Sequence, residues 1–311
     1  MIEYSARIGV TPPAICKLNS FRENLLKIFP NAVFNETGKY FPEEQLIAFL
    51  EGADAALIGR DPITEKTLTS LPHLKIVSKY GVGLDNIDQE AIERHGKLFR
   101  YTAGINKLSV AELALGFMIG LCHNIFKSGL ALKNKGWEKD GGQLLSGKTV
   151  GIIGCGNVGK ELIRFLRPFD CRILVRDILD LSNYCSDHGV EETSFDDLVR
   201  HADIISLHVP LTELTRNMVN AKIFQKMKTS SFLINTSRGD IVNEEDLKQA
   251  LLNDVIAGAA LDVFSIEPPE DHELLECQNL MVTPHIGGNS IEAVTAMANS
   301  AVEHLVNFFK H

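Results

Sequence analysis

Three residues suited to acid-base chemistry follow apolar segments in the second half of the chain. Arg238 follows SFLIN, Glu267 follows IAGAALDV, and His285 follows LMVTP. Reduction of a 2-oxo acid needs a cation for the substrate's carboxylate and carbonyl oxygen, and a proton donor for the nascent alkoxide. Histidine is the natural donor near neutral pH, and a nearby carboxylate stabilises its protonated ring. The trio therefore suits hydride exchange between a nicotinamide and a 2-oxo or 2-hydroxy acid.

Each member of the trio also has an ordinary structural explanation. An Arg-Gly pair can cap a strand, Glu-Pro-Pro is a common turn, and a single histidine can be a packed structural residue. In open parallel sheets, however, ligands bind beyond the carboxyl ends of the strands, where all three would meet. Other polar or small residues would share that edge, namely Thr236, Ser237, Asp262, Gly287 and Gly288.

A glycine pattern upstream supplies a candidate cofactor site. The stretch VGIIGCGNVG places Gly154, Gly156 and Gly159 between an apolar strand and an amphipathic helix. In such a turn the first glycine permits the bend, the second admits a pyrophosphate to the backbone, and the third lets helix and strand pack closely. The alternative is a chance glycine-rich turn, because the pattern alone has low specificity.

The residues that follow these glycines favour NAD. Asn157 and Val158 open the helix, so their N–H groups would face the phosphates. Asp177 ends the next strand, RILVRD, about 20 residues on, where an acid that binds the ribose is expected. A carboxylate there accepts a hydrogen bond from the 2′-hydroxyl and repels a 2′-phosphate. NAD is therefore predicted rather than NADP, although the neighbouring Arg176 can soften this preference.

The elements that must position these residues alternate along the chain. Apolar segments separated by helical patterns are RIGVT, AALIG, KIVSKY, TVGIIG, RILVRD, DIISLHV, SFLINT, IAGAALDV and LMVTPH. This alternation predicts an α/β fold with two doubly wound parallel-sheet domains. We expect one domain at residues 1–104 with 286–311 and the other at 105–285. A last amphipathic segment, 289–309, is expected to return to the first domain.

A long apolar helical pattern joins the two domains. It reads LSVAELALGFMIGLCHNIFKSGLALKNKGW and begins at Leu108. Its longest apolar run, Val110 to Cys122, is short for a membrane span and carries Glu112, so a buried helix is expected. The apolar residues left over suit either core packing or a dimer contact.

Composition limits the possible partners. The chain has 311 residues, a net charge of −9 and 45% hydrophobic residues, which is ample for two cores. This acidic balance argues against nucleic acid or a membrane surface as a partner, and favours small molecules. Six cysteines lack metal-ligand spacing and no signal-like segment follows Met1, so we expect a cytoplasmic protein with reduced thiols and no metal.

Several motifs, in order, resemble the D-isomer-specific 2-hydroxyacid dehydrogenases. They are GKTVGIIGCGNVG, LHVPLTELTRNMVN, INTSRGDIVNEEDL, ALDVFSIEPPEDHELL and VTPHIGGNS, with KYGVGLDNID and NKLSVAELALG in the front half. The resemblance spans nearly the whole chain. It implies a flavodoxin-like substrate domain, built from both chain ends around an inserted Rossmann NAD-binding domain. It also implies an NAD-dependent oxidoreductase acting on CH–OH groups, and a homodimer held largely by the linking helices.

The resemblance further implies roles for single residues. Arg238 would bind the substrate, His285 would be the general acid and base, and Glu267 would partner His285. The backbone of Gly81, Val82 and Gly83 would receive the substrate carboxylate, as glycine-rich turns often do for anions. The cofactor contacts expected from motif position and from the glycine loop are Gly154, Gly156, Asn157, Val158, Gly159, Asp177, Val209, Pro210, Thr215, Thr236, Ser237, Arg238, Asp262, His285 and Gly288.

Within the family the chain is most similar to D-3-phosphoglycerate dehydrogenases, through GVGLDNID and LIGRDPITEKTL. Arg60 stands where those enzymes place an arginine on the substrate phosphate. Lys79 stands where the family often has arginine, and is expected to contact the substrate as a point charge. The expected substrate pair is therefore D-3-phosphoglycerate and 3-phosphohydroxypyruvate, in serine biosynthesis. Since the chain ends at His311, no regulatory domain is expected.

Two other functions stay open. A glyoxylate or hydroxypyruvate reductase, or another D-2-hydroxyacid dehydrogenase, would use the same trio without a phosphate site. A non-catalytic protein that senses NAD(H), like the family's transcriptional corepressors, would keep the trio as well. Turnover, rather than binding of NADH, distinguishes the last of these from an enzyme.

Overall fold

The computed structural model describes residues 4–137, 139 and 141–310, and they form two compact units. Unit 1 contains the residues up to Asn106 and those from Gly288 onwards, and unit 2 is Lys107–Gly287. The chain passes from unit 1 to unit 2 after Asn106 and returns after Gly287, in each case two residues later than the predicted boundary.

Unit 1 begins with five strands that alternate with helices. The strands are β1 (Ile8–Val10), β2 (Val33–Phe34), β3 (Ala55–Ile58), β4 (Ile76–Lys79) and β5 (Leu98–Arg100). The helices are α1 (Pro13–Cys16), α2 (Asn19–Leu26), α3 (Glu43–Leu50), α4 (Glu65–Ser70) and α5 (Gln89–Arg94). All pairings are parallel, in the order β2–β1–β3–β4–β5. This is the flavodoxin-like order, in which the chain reverses direction across the sheet between β1 and β3.

Unit 2 carries a larger sheet of the same kind. Its strands are β6 (Thr149–Ile153), β7 (Arg172–Arg176), β8 (Glu191–Glu192), β9 (Ile204–Leu207), β10 (Phe232–Asn235), β11 (Gly258–Leu261) and β12 (Leu280–Val282). Its helices are α6 (Lys107–Cys122), α7 (Ile125–Lys133), α8 (Asn157–Leu166), α9 (Ser182–His188), α10 (Phe195–His201), α11 (Ala221–Phe224), α12 (Glu244–Leu252) and α13 (His272–Leu275). Short 3₁₀ turns lie at Arg167–Phe169 and Gly239–Ile241.

The unit 2 sheet has the Rossmann order, β12–β11–β10–β9–β6–β7–β8, with every pairing parallel. Buried residues cover both of its faces, because β10 contributes Leu233 to one hydrophobic cluster and Ile234 to the other. The strand order reverses between β6 and β9. Ligands bind parallel sheets at such a switch point, beyond the carboxyl ends of the strands.

The linking segment, predicted as a long helical pattern, consists of two helices, and the break between them was not predicted. The helical run ends at Cys122, and Asn124 takes a left-handed conformation with φ 52° before α7 begins. Helix α6 buries Phe117 and Met118 in unit 2, whereas α7 has no buried residue. No single helix in the described ranges is long and apolar enough to cross a membrane. Helices α6 and α7 would be long and apolar enough only if taken together, and a 66° bend separates them.

The last helix, α14 (Ile291–Phe309), returns to unit 1 as predicted. It begins with Ser290, whose hydroxyl accepts a hydrogen bond from the Ala293 N–H, and such a cap satisfies one of the unpaired donors of the first turn. Its buried face includes Met297 and Leu305, which pack in one cluster with residues of β1 and β4. The helix therefore closes one face of the unit 1 sheet.

Candidate active site

The glycine loop has the geometry of a dinucleotide cradle. Gly154 has φ 93°, and a Cβ on it would lie 2.5 Å from the carbonyl oxygen of His208, so the bend needs glycine. A Cβ on Gly159 would lie 2.2 Å from the Gly154 oxygen, whereas one on Gly156 would meet nothing within 4 Å. Space is thus open where a pyrophosphate would approach. No side chain caps the N-terminus of α8, which leaves its N–H groups directed at that space.

Two side chains that follow strands of this sheet, Asp177 after β7 and Thr236 after β10, also fit NAD. Asp177 is half-buried, and its Oδ2 accepts a hydrogen bond of 2.7 Å from the Cys155 N–H while Oδ1 accepts one from Leu179. The carboxylate is therefore held against the loop, as a residue that binds the ribose must be. The hydroxyl of Thr236 is buried and has no hydrogen-bond partner among the described residues. A buried hydroxyl without a partner is costly unless a ligand or water satisfies it.

The thiol inside the loop is a packing group. Cys155 is 3% exposed, and burial raises its pKa to about 11. A neutral thiol is a poor nucleophile, so the chemistry of this loop lies in its backbone and in Asp177.

The remaining predicted cofactor residues of unit 2 shape the neighbouring loops. Val209, after β9, packs against the core, and the Thr215 hydroxyl donates to the Pro210 carbonyl oxygen at 2.6 Å. The Ser237 hydroxyl donates to the Leu207 carbonyl oxygen at 2.6 Å. These bonds order the loops at the carboxyl ends of β9 and β10.

His285 and Glu267 form a pair. The Nδ1 atom of His285 lies 2.9 Å from both carboxylate oxygens of Glu267, and Glu267 Oε1 also accepts from the Phe264 N–H at 3.2 Å. The side chains of His285 and Glu267 are 33% and 17% exposed. With Nδ1 facing a carboxylate, Nε2 is the ring nitrogen that can serve a substrate. His285 has φ 54°, in the left-handed region.

Asp262 organises the segment that carries His285. Its side chain, 1% exposed, accepts hydrogen bonds from the Thr283 hydroxyl and from the N–H groups of Ile286 and Gly287. Its carbonyl oxygen accepts from the His285 N–H at 2.8 Å. Asp262 therefore holds the Thr283 side chain before the histidine and the backbone after it.

Arg238 is held by its own turn. Its Nη1 donates to the Ser237 carbonyl oxygen at 2.7 Å. The fully buried amide of Asn235 accepts from the Ser237 N–H and donates to the Arg238 carbonyl oxygen. Sequence reasoning did not select Asn235, although an asparagine at the end of a strand is a recognised turn signal.

His208, at the end of β9, was also missed by the sequence analysis. Its Nε2 lies 2.9 Å from the Ser206 hydroxyl, and burial lowers its pKa to about 4. The ring is therefore neutral at physiological pH beside the glycine loop. Its only signal in the sequence is its position directly after an apolar strand.

The predicted carboxylate-binding turn lies in unit 1, directly after β4. Gly81 has φ 102°, a left-handed conformation that favours glycine. Turns of this kind can present successive N–H groups to an anion. Gly288 also belongs to unit 1, where a Cβ on it would lie 2.9 Å from the Asn106 amide nitrogen.

The two predicted cations of unit 1 differ in their surroundings. Lys79 is 5% exposed; its ammonium donates to the Gly59 carbonyl oxygen and, at 2.8 Å, to Asn86. Asn86 in turn donates to the Asp61 carbonyl oxygen, so Lys79 ties the end of β4 to the end of β3. Arg60 is exposed. Among the described residues, no group of three or more His, Cys, Asp or Glu side chains is placed to hold a metal ion.

Comparison with known proteins decides the family. The model described as "D-isomer specific 2-hydroxyacid dehydrogenase, NAD binding domain" matches residues 115–287. The chain belongs to the D-isomer-specific 2-hydroxyacid dehydrogenases. It is therefore an NAD-dependent oxidoreductase that acts on the CH–OH group of D-2-hydroxy acids.

Relatives of this dehydrogenase carry different substrate names. Hydroxypyruvate reductase of Thermotoga maritima is 34% identical, over 86% of this chain and 89% of its own. D-3-phosphoglycerate dehydrogenase of Bacillus subtilis is also 34% identical over 86% of this chain, but the match spans 51% of that protein. The crystal structure of Aquifex aeolicus D-lactate dehydrogenase with NAD and lactic acid superimposes with a TM-score of 0.85 at 25% identity, covering 97% of this chain and 95% of that one.

Proposed function

We propose that this dehydrogenase reduces a short 2-oxo acid to the D-2-hydroxy acid with His285 as the proton donor. In this proposal Glu267 is the partner of the histidine and Arg238 is the cation that binds the substrate. The observation that carries the proposal is the placement of His285 Nδ1 2.9 Å from both oxygens of Glu267. This pairing fixes the ring and stabilises its protonated form.

The geometry supports the following division of labour. Bound NADH supplies the hydride to the carbonyl carbon. His285 donates its Nε2 proton to the carbonyl oxygen as negative charge develops there, and in the oxidative direction the neutral ring accepts the hydroxyl proton. The Arg238 guanidinium offers paired donors to the substrate's oxygens. The N–H groups of residues 81–83 are proposed to receive the carboxylate.

We infer that the substrate is an unphosphorylated acid of the hydroxypyruvate or glyoxylate type. Arg60, the one residue expected on a substrate phosphate, is exposed, and Lys79, expected to contact the substrate, is buried and bonded within unit 1. A phosphate dianion is normally held by several donors. The match to the Thermotoga maritima reductase over most of its length supports the same assignment.

The second candidate is 3-phosphohydroxypyruvate, which would place the enzyme in serine biosynthesis. It is favoured by the exposed position of Arg60 directly after β3, and by a D-3-phosphoglycerate dehydrogenase relative of equal identity. In that case Arg60 would bind the phosphate.

The first experiment compares kcat/KM for NADH-dependent reduction of hydroxypyruvate, glyoxylate and 3-phosphohydroxypyruvate at one pH and salt concentration. We expect an unphosphorylated acid to be preferred at least about tenfold, because a single exposed arginine adds little affinity for a phosphate. The matched variant His285→Asn suits the left-handed backbone and should lose about 10²- to 10⁴-fold in kcat while still binding NADH.

Three outcomes would contradict parts of this proposal. A preference for the phosphorylated acid that disappears in Arg60→Ala would establish the second candidate instead. Near-normal turnover by His285→Asn would remove the histidine from the chemistry. Binding of NADH without turnover of any 2-oxo acid would leave a protein that senses NAD(H).

We also infer a homodimer. Helix α7 presents Ile125, Phe126, Leu130 and Leu132, each more than two-fifths exposed, and no residue of α7 is buried in its own chain. Exposed apolar side chains on one helix are typical of an interface, and symmetric dimers are the commonest soluble oligomers.

A further inference from the structure

Glu244, the first residue of α12, forms hydrogen bonds to the turn that leads to Glu267 of the proposed trio. Its Oε1 accepts a hydrogen bond of 2.6 Å from the Ser265 N–H, and its Oε2 accepts one of 2.8 Å from the Ser265 hydroxyl. Both carboxylate oxygens of a half-buried side chain are thus committed to one residue. Hydrogen bonds to a charged acceptor are about twice as strong as neutral ones, so this contact holds the Ser265 backbone firmly.

Ser265 directly follows Phe264, whose N–H binds the Glu267 carboxylate. The Phe264 N–H donates to Glu267 Oε1 at 3.2 Å, and the two Glu267 oxygens face His285 Nδ1. The Phe264 N–H belongs to the adjoining Val263–Phe264 peptide, so a displacement of the Ser265 peptide would reach this donor, and through it the carboxylate, by way of the Phe264 Cα. Glu244 is thus linked to the histidine through Ser265, Phe264 and Glu267.

The same turn touches the arginine segment. A Cβ on Gly239 would lie 1.9 Å from the Phe264 carbonyl carbon and 2.1 Å from the Ser265 nitrogen. The backbone next to Arg238 thus packs directly on the peptide that Glu244 holds. The Phe264–Ser265 peptide is therefore the place where the start of α12 meets two turns, the one that carries Arg238 and Gly239 and the one that leads to Glu267.

The two acidic neighbours of Glu244 have other partners. Glu245 pairs with Lys248 at 2.7 Å, and Asp246 accepts from the Ala221 N–H. All three acids lie in the first turn of α12, where negative charge is favourable. A general stabilisation of the helix end would not distinguish them. Of these three acids, Glu244 is the one whose hydrogen bonds among the described residues reach the turn before Glu267.

We propose that Glu244 is a positioning residue for this dehydrogenase: it fixes the Phe264–Ser265 peptide, and so holds Glu267 on His285. This inference rests on the proposed roles of the trio. Glu244 itself contacts neither the histidine nor the arginine side chain in the described hydrogen bonds. Displacement of a catalytic group by about 1 Å can cost about a hundredfold in rate.

The test compares Glu244→Ala with the matched control Glu245→Ala, which removes the same charge from the same helical turn. We expect Glu244→Ala to lower kcat by about tenfold to a hundredfold, with the dissociation constant of NADH unchanged within about twofold. Glu245→Ala should retain wild-type kcat. Glu244→Gln, which can still accept one of the two bonds, should recover part of the loss.

A double-variant cycle asks whether Glu244 acts through Glu267. If it does, Glu244→Ala combined with Glu267→Gln should lose no more than about twofold beyond Glu267→Gln alone. Losses that multiply, or equal kcat for Glu244→Ala and Glu245→Ala, would overturn the inference. Should Glu244→Ala fail to fold, Ser265→Ala removes one of the two bonds and should give an intermediate loss.

The outcome separates this inference from the proposed function. A Glu267→Gln variant with wild-type kcat would contradict the role of the trio itself. A Glu267→Gln variant that is impaired, beside a Glu244→Ala variant that is not, would contradict only the role of Glu244.

Discussion

At the scale of single residues, the Asp177 carboxylate combines a structural and a proposed recognition role. It accepts hydrogen bonds from the N–H groups of Cys155 and Leu179, which fix it beside the glycine loop. A 2′-phosphate brought to this place would meet a carboxylate whose position cannot readily change. Electrostatic repulsion at short range, in a partly buried site, is weakly screened by salt.

We therefore predict that NADH is preferred to NADPH and that Asp177→Asn reduces this preference by at least about tenfold, the equivalent of about 1.4 kcal/mol. Asparagine keeps an acceptor for the loop and removes the charge. The measurement is kcat/KM with each cofactor at a saturating 2-oxo acid. Asp180→Asn, a nearby exposed carboxylate bonded to Ser182, is the control. Equal kcat/KM for both cofactors in the wild type would contradict the proposed role of Asp177 in excluding the 2′-phosphate. Arg176 would then be the residue to examine.

The residues of the site differ in how far the sequence could reveal them. Arg238, Glu267 and His285 were selected because each follows an apolar strand, and the pairing of His285 with Glu267 is present in the structure. Asn235 and Glu244 were not selected. Asn235 makes local contacts that its place at the end of a strand could have signalled. The importance of Glu244 depends on which turns meet in space, and a contact between residues 244 and 265 leaves no local pattern in the sequence.

At the scale of elements, the carboxyl end of β9 carries a prediction about pH. Burial lowers the pKa of His208 from 6.5 to about 4, so the folded chain keeps this ring neutral where the unfolded chain protonates it. Between pH 6.5 and pH 4 the unfolded state therefore binds more protons, and the free energy of unfolding falls as the pH drops. The contribution is about 1–3 kcal/mol, since the ring is only partly shielded from solvent.

Urea denaturation at several pH values between 7 and 4 measures this effect. His208→Gln, which offers a neutral polar group to Ser206, should show a smaller loss of unfolding free energy over the window than the wild type. Above pH 7 the unfolding free energy of both proteins should depend on pH in the same way, because His208 is neutral in both the folded and the unfolded state there. Parallel curves down to pH 4 would mean that His208 does not contribute to the acid sensitivity of the fold.

The elements themselves were largely predictable because strand and helix patterns alternate clearly. Each of the nine apolar segments expected as strands contains one. The other three strands, β2, β5 and β8, were not predicted. These three are edge strands of two or three residues, and β8 is the pair Glu191–Glu192, which becomes a strand by pairing with β7. Pairing at an edge is a tertiary event that a segment of two or three residues does not reveal by its own sequence.

The break after α6 was missed for a related reason. Residues 108–133 keep a helical composition throughout, with no glycine or proline at the break. The change of direction occurs at Asn124, one of the few residue types that adopt the left-handed conformation at modest cost. Composition favoured a helix on both sides of the break, and only the packing of α6 against unit 2 decides where it ends.

At the scale of the whole molecule, the exposed apolar side chains of α7 lead to a prediction about assembly. Leu130 is 51% exposed and would be buried in the proposed dimer. Leu130→Arg should therefore shift the protein to monomers at micromolar concentration, because burial of an unpaired charge costs several kcal/mol. Sedimentation velocity or light scattering measures the change.

The control for assembly is Leu252→Arg at the end of α12, where the leucine is 50% exposed. This variant should retain the mass of the wild type. A monomeric wild type, or a Leu130→Arg variant that stays dimeric, would be incompatible with an interface on α7.

The left-handed backbone at His285 bears on how this protein would respond to selection. A side chain in that conformation costs about 1 kcal/mol or more relative to glycine, so the fold would gain stability from glycine at 285 and lose its proposed proton donor. Laboratory evolution for heat resistance alone should therefore favour that exchange, and a screen that also demands turnover should reject it. At position 285, selection for thermal stability and selection for catalysis would therefore favour different residues.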